Sequence, residues 1–393
     1  MKVFLFIALY TLANVYIYSK IKRCLLSNVK SKLVYFFVYV IYGTLLCSPI
    51  FNFIFKSTSF EKITHAVSFY YIGILVITLF VFVIIDIIRF LVLHILKKDK
   101  NIFESKKYKY SSLVICLVTI ISYMTYGTIH YSKIYINTYS VDIAKETNID
   151  NLKIALVADF HLGFTIGYEM IEDMVSKINA ENPDIVLIAG DIFDNTAYAV
   201  DDITKCEDAL KSLKSTYGTY AIFGNHDVKE KLLFGFSLSD IKEDYRDEKM
   251  VEMLNNASIT ILDDKVTLIN DSFYLVGRKD YSKPGFGSRK RETLDNLAKD
   301  VDFSKPVIIL EHQPKQLEIA NSIGADLHLA GHTHAGQFFP LNIGINFLYK
   351  NAYGIKNIGN MTSIVTSGVG LYGPPIRVGT DSEIAIINVN FKK

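Results

Sequence analysis

Five short clusters of carboxylate, amide and imidazole residues in the second part of the chain carry the groups that could do chemistry. They read DFHLG at 159–163, GDIFD at 190–194, GNHD at 224–227, EH at 311–312 and GHTHAGQ at 331–337. Of the six histidines beyond residue 150, five fall inside these clusters, and the sixth, His328, is expected to be a core histidine. Oxygen and imidazole ligands without thiolates suit Mn, Fe or Zn. The clusters therefore indicate a metal site.

A hydrolase with two metal ions needs a particular set of ligands. Two divalent ions ~3.5–4 Å apart share a bridging carboxylate and a bridging hydroxide, and they leave positions open for phosphate oxygens. The five clusters contain this set with a residue or two to spare. Glycine precedes Asp191, Asn225 and His332, so the chain can turn sharply there and direct each side chain into a common site.

Alternating strands and helices are expected to position the clusters. Short apolar runs at 152–158, 185–189 and 219–223 are predicted strands, and each one ends at a polar cluster. Helices are predicted between them. Further strands are predicted near 258–278, 306–311 and 326–330, and the run from Glu383 to Asn390 is predicted to close a second sheet. Open α/β sheets bind ligands beyond the carboxyl ends of their strands, where these clusters should converge.

The motifs resemble those of the calcineurin-like metallophosphoesterases. DxHxG, GDxxD, GNHD, H and GHxH occur here in that family's order, and the resemblance covers about 150–393. The tail PIRVG at 375–379 also resembles the bacterial membrane-anchored subgroup, whereas Ala335 departs from the glycine often found there. The resemblance implies an α/β (α+β) domain in which two mixed β-sheets pack together and are flanked by helices.

The resemblance also implies a role for each motif residue. Asp159, His161 and His334 would bind the first of two divalent ions, Asp191 would bridge the pair, and Asn225, His312 and His332 would bind the second. His226 and Asp227 are the catalytic candidates. His226 would face the phosphate, where it stabilises the transition state or protonates the leaving group after a metal-bridging hydroxide attacks in line. Asp227 and Asp194 would orient histidine rings.

The first 131 residues are predicted to span a membrane. A spanning helix needs ~20 mostly apolar residues, and four stretches qualify, about 3–19, 33–55, 67–93 and 111–130. The sequence therefore predicts a transmembrane region over 1–131, a polar connector over 132–150 and the phosphoesterase domain over 151–393. Lysine and arginine are concentrated in the first and third connections, which predicts that these are cytoplasmic. The protein would be a multi-pass cell-membrane protein with an extracytoplasmic catalytic domain.

Charge constrains the partners. Residues 151–393 hold 25 Lys and Arg against 33 Asp and Glu, a balance of −8, whereas residues 1–150 have a balance of +10. An acidic domain makes a poor nucleic-acid binder, because duplex affinity depends on cationic contacts with phosphates. We therefore expect no nucleic acid as partner. The expected partners are a phosphate-ester substrate, including a lipid-linked one, and the lipid bilayer.

Three functions compete at this point. The leading hypothesis is a phosphomonoesterase or phosphodiesterase that acts on membrane or cell-envelope substrates. The others are a tethered nucleotide phosphodiesterase and a catalytically idle membrane sensor or regulator. An apolar run after the last motif bears on the substrate: we expect it to cover the core, and the alternative is an apolar lip for a lipid tail. This run contains Phe338, Phe339, Leu341, Ile343, Ile345, Phe347 and Leu348.

Overall fold

The structure is a computed structural model that describes residues 2–26, 29–230, 232–233, 236–237, 246–283 and 290–392. The chain forms two compact units. The first consists mainly of the chain up to Thr128, and the second consists mainly of the chain from Ile129 onward.

Four long helices make up most of the first unit. They are α1 (Lys2–Cys24), α2 (Lys32–Ile54), α3 (Glu61–His94) and α4 (Lys106–Tyr131), with a short 3-10 helix, Lys100–Glu104, before α4. All four are long and apolar enough to cross a membrane, which confirms the predicted number. Each reaches past at least one end of its predicted apolar stretch, since a helix continues through flanking polar residues that need not lie in hydrocarbon. A short hairpin, β5 (Leu232–Leu233) and β6 (Phe236–Ser237), belongs to the same unit.

Polar contacts tie these helices together. Lys20 Nζ on α1 forms an ion pair with Asp86 on α3 at 2.5 Å, and the Tyr16 hydroxyl donates to the same carboxylate at 2.6 Å. Asn14, which is buried, accepts from the Tyr42 hydroxyl at 3.0 Å. An apolar medium leaves polar groups without water, so such groups are stable there only when they bind one another.

Two six-stranded mixed sheets form the second unit, as predicted. The strands of the first sheet lie in the order β1-β14-β2-β3-β4-β7, and those of the second lie in the order β12-β13-β11-β10-β9-β8. Their bounds are β1 (Ile134–Ile143), β2 (Asn151–Val157), β3 (Ile185–Ala189), β4 (Thr219–Ile222), β7 (Ile259–Ile261), β8 (Lys265–Ile269), β9 (Phe273–Gly277), β10 (Val307–Leu310), β11 (Leu327–Ala330), β12 (Gly354–Ile358), β13 (Met361–Val365) and β14 (Ser382–Phe391).

Helices cover the outer faces of both sheets. They are α5 (Tyr168–Glu181), α6 (Ile203–Lys211), α7 (Glu248–Asn256), α8 (Leu294–Leu297) and α9 (Leu317–Ser322). A further short helix, α10 (Leu341–Gly344), and 3-10 turns at Ala197–Ala199, His334–Gly336 and Ile345–Phe347 lie in the connections between strands. The core between the sheets is apolar, with Leu156 and Leu187 from one sheet and Leu310 and Leu329 from the other. Strands β2, β3, β4 and β7 are mutually parallel, as are β9, β10, β11 and β13. Parallel strands bring their carboxyl ends to one edge of each sheet.

The segment predicted as a connector, 132–150, contains a strand. β1 pairs in parallel with β14 over ten positions, from Ile134 opposite Ser382 to Ile143 opposite Phe391. β1 lies at the edge of the sheet, so the burial of its side chains alternates only weakly. Most of its exposed positions carry polar residues, and for this reason the sequence predicts a polar connector. The folded domain therefore begins before residue 151.

The prediction that the last strand closes the second sheet is wrong. β14 lies in the first sheet, between β1 and β2, and it pairs with β2 in antiparallel orientation. Ile384 and Ile386 enter the core under the helices, whereas Ile387 and Val389 enter the core between the sheets. A strand that is apolar on both faces fits an interior position, and its partner is set by contacts that a sequence pattern does not reveal.

Candidate functional site

Five strands deliver the five clusters at their carboxyl ends. Asp159 and His161 follow β2, Asp191 follows β3, Asn225 to Asp227 follow β4, His312 follows β10, and His332 and His334 follow β11. Non-glycine residues rarely adopt positive φ, yet five of these do so: Asp159 (56°), His161 (49°), Asp191 (50°), His332 (74°) and His334 (49°). Backbone strain of this kind is maintained where the surrounding structure enforces a functional geometry.

Two glycines are required by close packing rather than by a left-handed turn. A Cβ atom at Gly224 would overlap the Asp191 carboxylate, and one at Gly331 would overlap Ala158 and the Asp159 carboxylate. Only Gly190, of the three glycines that precede predicted ligands, has a positive φ, 82°. The glycines thus let neighbouring strand ends approach the two aspartates closely.

One group of predicted ligands consists of Asp159, His161 and His334. The Nε2 atoms of His161 and His334 lie 3.2 Å apart, and His334 Nε2 lies 3.6 Å from Asp159 Oδ1. All three residues are buried, with at most 8% of their surface exposed. The three ligand atoms lie within 4.8 Å of one another, so they could hold one metal ion.

A second group consists of Asp191, His312 and His332, with Asn225 beside it. His312 Nε2 lies 3.0 Å from Asp191 Oδ2 and 3.2 Å from both Asn225 Oδ1 and His332 Nδ1. The Nδ1 atom of His312 lies 2.8 Å from the Ala189 carbonyl, to which it can donate, and this tautomer leaves Nε2 as a lone-pair donor to a cation. Asp191 also lies near the first group, because its Oδ2 is 3.7 Å from His161 Nε2.

Burial controls the charge of His161, His332 and Asp159. For His312, desolvation is outweighed by the Asp191 carboxylate, which raises the pKa of the imidazole to about 10. Desolvation lowers the pKa of His161 to about 4 and that of His332 to about 3, so both imidazoles are neutral and able to bind a cation. Desolvation raises the pKa of Asp159 to about 7, and the neighbouring charge of Asp191 adds to this effect. Two buried carboxylates side by side are unfavourable unless a positive charge neutralises them. The donor set and the electrostatics therefore both fit divalent cations.

His226 is joined to the site by its backbone. Its N–H donates to Asp191 Oδ1 at 2.7 Å, and its ring centroid lies 5.1 Å from that of His161 and 4.1 Å from that of Tyr372. Its Nδ1 atom is buried and has no hydrogen-bond partner among the described residues. Ligand atoms of His161, Asp194 and His226 also lie within 4.8 Å of one another, so Asp194 is close to two histidine rings.

Asp227 makes different contacts from those predicted. It is fully buried, and its two oxygens accept from the backbone N–H groups of Phe193 at 2.8 Å and Gly224 at 2.7 Å. The carboxylate thus joins the loop after β3 to the loop after β4, and in the part of the chain that the structure describes it forms no hydrogen bond with a histidine ring. His328 is fully buried and contacts Glu311 at 2.9 Å, as expected for a core histidine.

Three side chains reach the site from segments outside the five clusters. The Tyr349 hydroxyl lies 2.9 Å from His332 Nε2, so it can fix the ring with Nδ1 directed at the second group. Tyr372 packs on the His226 ring. Arg377 is fully buried and donates to the carbonyls of Ser367, Gly370 and His334 at 2.7, 2.7 and 3.4 Å. The tail motif drew attention to Arg377 in the sequence, but nothing there indicated its contacts.

The fold and this set of ligands define a metallophosphoesterase domain, and comparisons with known proteins agree. Residues 152–336 match the family model of the calcineurin-like phosphoesterases. An uncharacterized metallophosphoesterase of Helicobacter pylori is 33% identical over 61% of this chain and 60% of its own length. One of Campylobacter jejuni is 26% identical over 99% of this chain and 98% of its own. The phosphodiesterase YaeI of Escherichia coli is 27% identical over 62% and 83%, respectively.

The chain contains a calcineurin-like phosphoesterase domain over residues 152–336. It spans less than two thirds of the Helicobacter relative but nearly all of the Campylobacter relative.

Proposed function

We propose that this protein is a membrane-anchored phosphoesterase that uses two divalent metal ions to hydrolyse phosphate monoesters or diesters. One observation carries the proposal: six aspartate and histidine side chains from four strand ends form two adjacent three-residue groups. Asp191 belongs to one group and lies 3.7 Å from a histidine of the other. Two-metal hydrolases need such a pair of sites linked by a shared carboxylate.

The ligand assignment follows from the two groups. Asp159, His161 and His334 would hold one ion, and His312, His332 and Asn225 would hold the other, with Asp191 shared between them. When bound, the ions would activate a water for attack and neutralise charge on the phosphate oxygens. The histidines can serve because desolvation keeps His161 and His332 unprotonated.

His226 would act on the phosphate rather than on a metal. Only its backbone N–H contacts Asp191 through a hydrogen bond, and its buried Nδ1 has no hydrogen-bond partner among the described residues. A histidine at this position could donate a hydrogen bond to a phosphate oxygen and a proton to the leaving group. The Tyr372 ring 4.1 Å away would restrict the imidazole to one orientation.

Membrane or cell-envelope phosphate esters are the proposed substrates. Four helices that could span a membrane support this location, and the distribution of lysine and arginine supports an extracytoplasmic domain. A relative named as a phosphodiesterase favours diesters. The orientation can be tested with a reporter fused after the last residue: alkaline phosphatase should be active there, whereas fluorescence of a reporter that matures only in the cytoplasm would contradict it.

A direct assay tests the activity. The purified full-length protein should hydrolyse an aryl phosphate diester or monoester when Mn²⁺ is supplied, and the Asp191→Asn variant should not. Metal content measured on the same samples shows whether the ions are bound. If the wild-type protein binds two ions per chain and releases no product from either ester, the proposed activity is wrong, and the idle sensor or regulator becomes the better explanation.

A further inference from the structure

The apolar run after the last motif is mostly exposed, contrary to the expectation that it covers the core. Of its seven apolar residues only Phe338 is buried, at 3% exposure. Four are open to the surroundings: Leu341 at 49%, Ile343 at 57%, Phe347 at 86% and Leu348 at 76%. A soluble protein rarely exposes several large apolar side chains together, so this surface is expected to contact another apolar phase.

The same segment is connected to the catalytic site. Leu348 is followed directly by Tyr349, whose hydroxyl lies 2.9 Å from the ring of the predicted ligand His332. The segment that carries the exposed apolar side chains thus ends directly before a residue in contact with the second ligand group.

The chemistry of the segment matches a lipid surface better than a protein partner. From Gln337 to Tyr349 the chain has no Asp, Glu, Lys or Arg, so no charged side chain opposes entry into hydrocarbon. Lys350, which forms an ion pair with Glu318, and the exposed Lys356 follow, and a lysine at the border of an apolar patch suits anionic lipid head groups. Only Ser132 and Lys133 separate α4 from β1, and so short a connection tethers the domain at the bilayer surface.

We propose that Leu341–Leu348 is a lip that enters the acyl-chain region of the membrane, and that the substrate is a phosphate-ester lipid lying in that membrane. The substrate half of this inference rests on the proposed phosphoesterase function, whereas the insertion of the lip does not. The lip would hold the site against the lipid surface, so that the head group of the lipid enters the site while its acyl chains stay among those of the bilayer.

Insertion can be measured without any hydrolysis, because the chain contains no tryptophan. Phe347→Trp gives the full-length protein a single tryptophan, which can be excited selectively over its tyrosines, and Leu268→Trp, at an exposed position of strand β8, is the matched control. In vesicles of phosphatidylcholine and phosphatidylglycerol, acyl-brominated lipids should quench the tryptophan at 347 at least twofold more than the one at 268. Equal quenching at both positions would refute the proposed insertion of the lip into the membrane.

Hydrolysis tests the substrate. The double variant Phe347→Ser, Leu348→Ser should lose roughly tenfold or more in kcat/KM on phosphatidic acid or phosphatidylglycerol in vesicles, since both side chains lose their apolar contacts. Its rate on a soluble aryl phosphate ester should equal that of the wild type. A wild-type protein that cleaves the aryl ester but neither lipid would refute the lipid substrate and leave the phosphoesterase function intact. A protein that cleaves none of them would refute the function itself.

Discussion

Replacing His226 by alanine separates its role from that of the metal ligands. We expect kcat to fall by ~10²–10⁴-fold, the usual contribution of a positioned general acid. This loss corresponds to about 2.7–5.4 kcal/mol, because each factor of ten costs ~1.36 kcal/mol. Metal content should not change: position 226 holds Asp191 through its backbone N–H at 2.7 Å, and alanine keeps that hydrogen bond.

Asp191→Asn is the contrasting variant. It removes the charge from a carboxylate whose Oδ2 lies 3.0 Å from His312 Nε2 and 3.7 Å from His161 Nε2, between the two ligand groups. Two unit charges about 4 Å apart interact by ~4 kcal/mol at an effective dielectric constant of ~20, and the double charge of a divalent ion raises this further. We therefore expect affinity for each ion to fall by at least about a thousandfold, and turnover to fall with it.

Two measurements on the same purified full-length samples test this pair. One is metal content by mass spectrometry, and the other is turnover of an aryl phosphate diester with saturating Mn²⁺. His94→Ala, which removes an exposed histidine from α3, is the matched control and should behave as the wild type. If His226→Ala loses as much metal as Asp191→Asn, His226 is a ligand and its proposed role is wrong. If His226→Ala retains full turnover, it is not a general acid.

Three further predictions concern the surroundings of the ligands. Tyr349→Phe removes the hydroxyl 2.9 Å from His332 Nε2, so metal titration should show ~10–100-fold weaker binding at one site, and unchanged binding at both would contradict this. Asp227→Ala leaves two buried backbone N–H groups without acceptors, which costs about 1–3 kcal/mol for each group, so Tm should fall. An unchanged Tm would show that other contacts hold together the loops after β3 and β4. Chelation should lower Tm reversibly, because buried Asp159 and Asp191 lose their counter-charges. The free energy of unfolding should fall by about 2.7 kcal/mol for ions held at 100 times their Kd. A Tm that changes neither with chelator nor with added Mn²⁺ would mean that no ion is bound.

The convergence of the predicted ligands could be anticipated because each stands directly after a strand. Asp191 follows β3, and His312 follows β10 by one residue, so their positions depend on local structure and on the rule that parallel strands end at one edge. A short-range pattern is enough for such a prediction. The roles of the glycines were harder to predict from the sequence. Gly224 and Gly331 are required by the approach of a neighbouring strand end and not by their own φ angles.

The pairing of strands that are distant in the chain could not be predicted from the sequence. The position of β14 between β1 and β2 joins segments more than 200 residues apart, and no local pattern encodes which of two sheets an apolar strand will enter. The same limit applies to Tyr349 and Arg377, which reach the site from loops without polar clusters. Their contacts depend on tertiary packing alone.

The lip shows why hydrophobicity misled the sequence interpretation at one point. In a soluble domain an apolar run signals burial in the protein, because water is the only alternative environment. A domain tethered two residues beyond a membrane helix has a second apolar phase within reach, and the same run can be buried there instead. Phe347, at 86% exposure, is then a residue that contacts lipid and not a core residue out of place. Burial in the protein and burial in the membrane are distinguished by whether lipid reaches the side chain, because its hydropathy is the same in both.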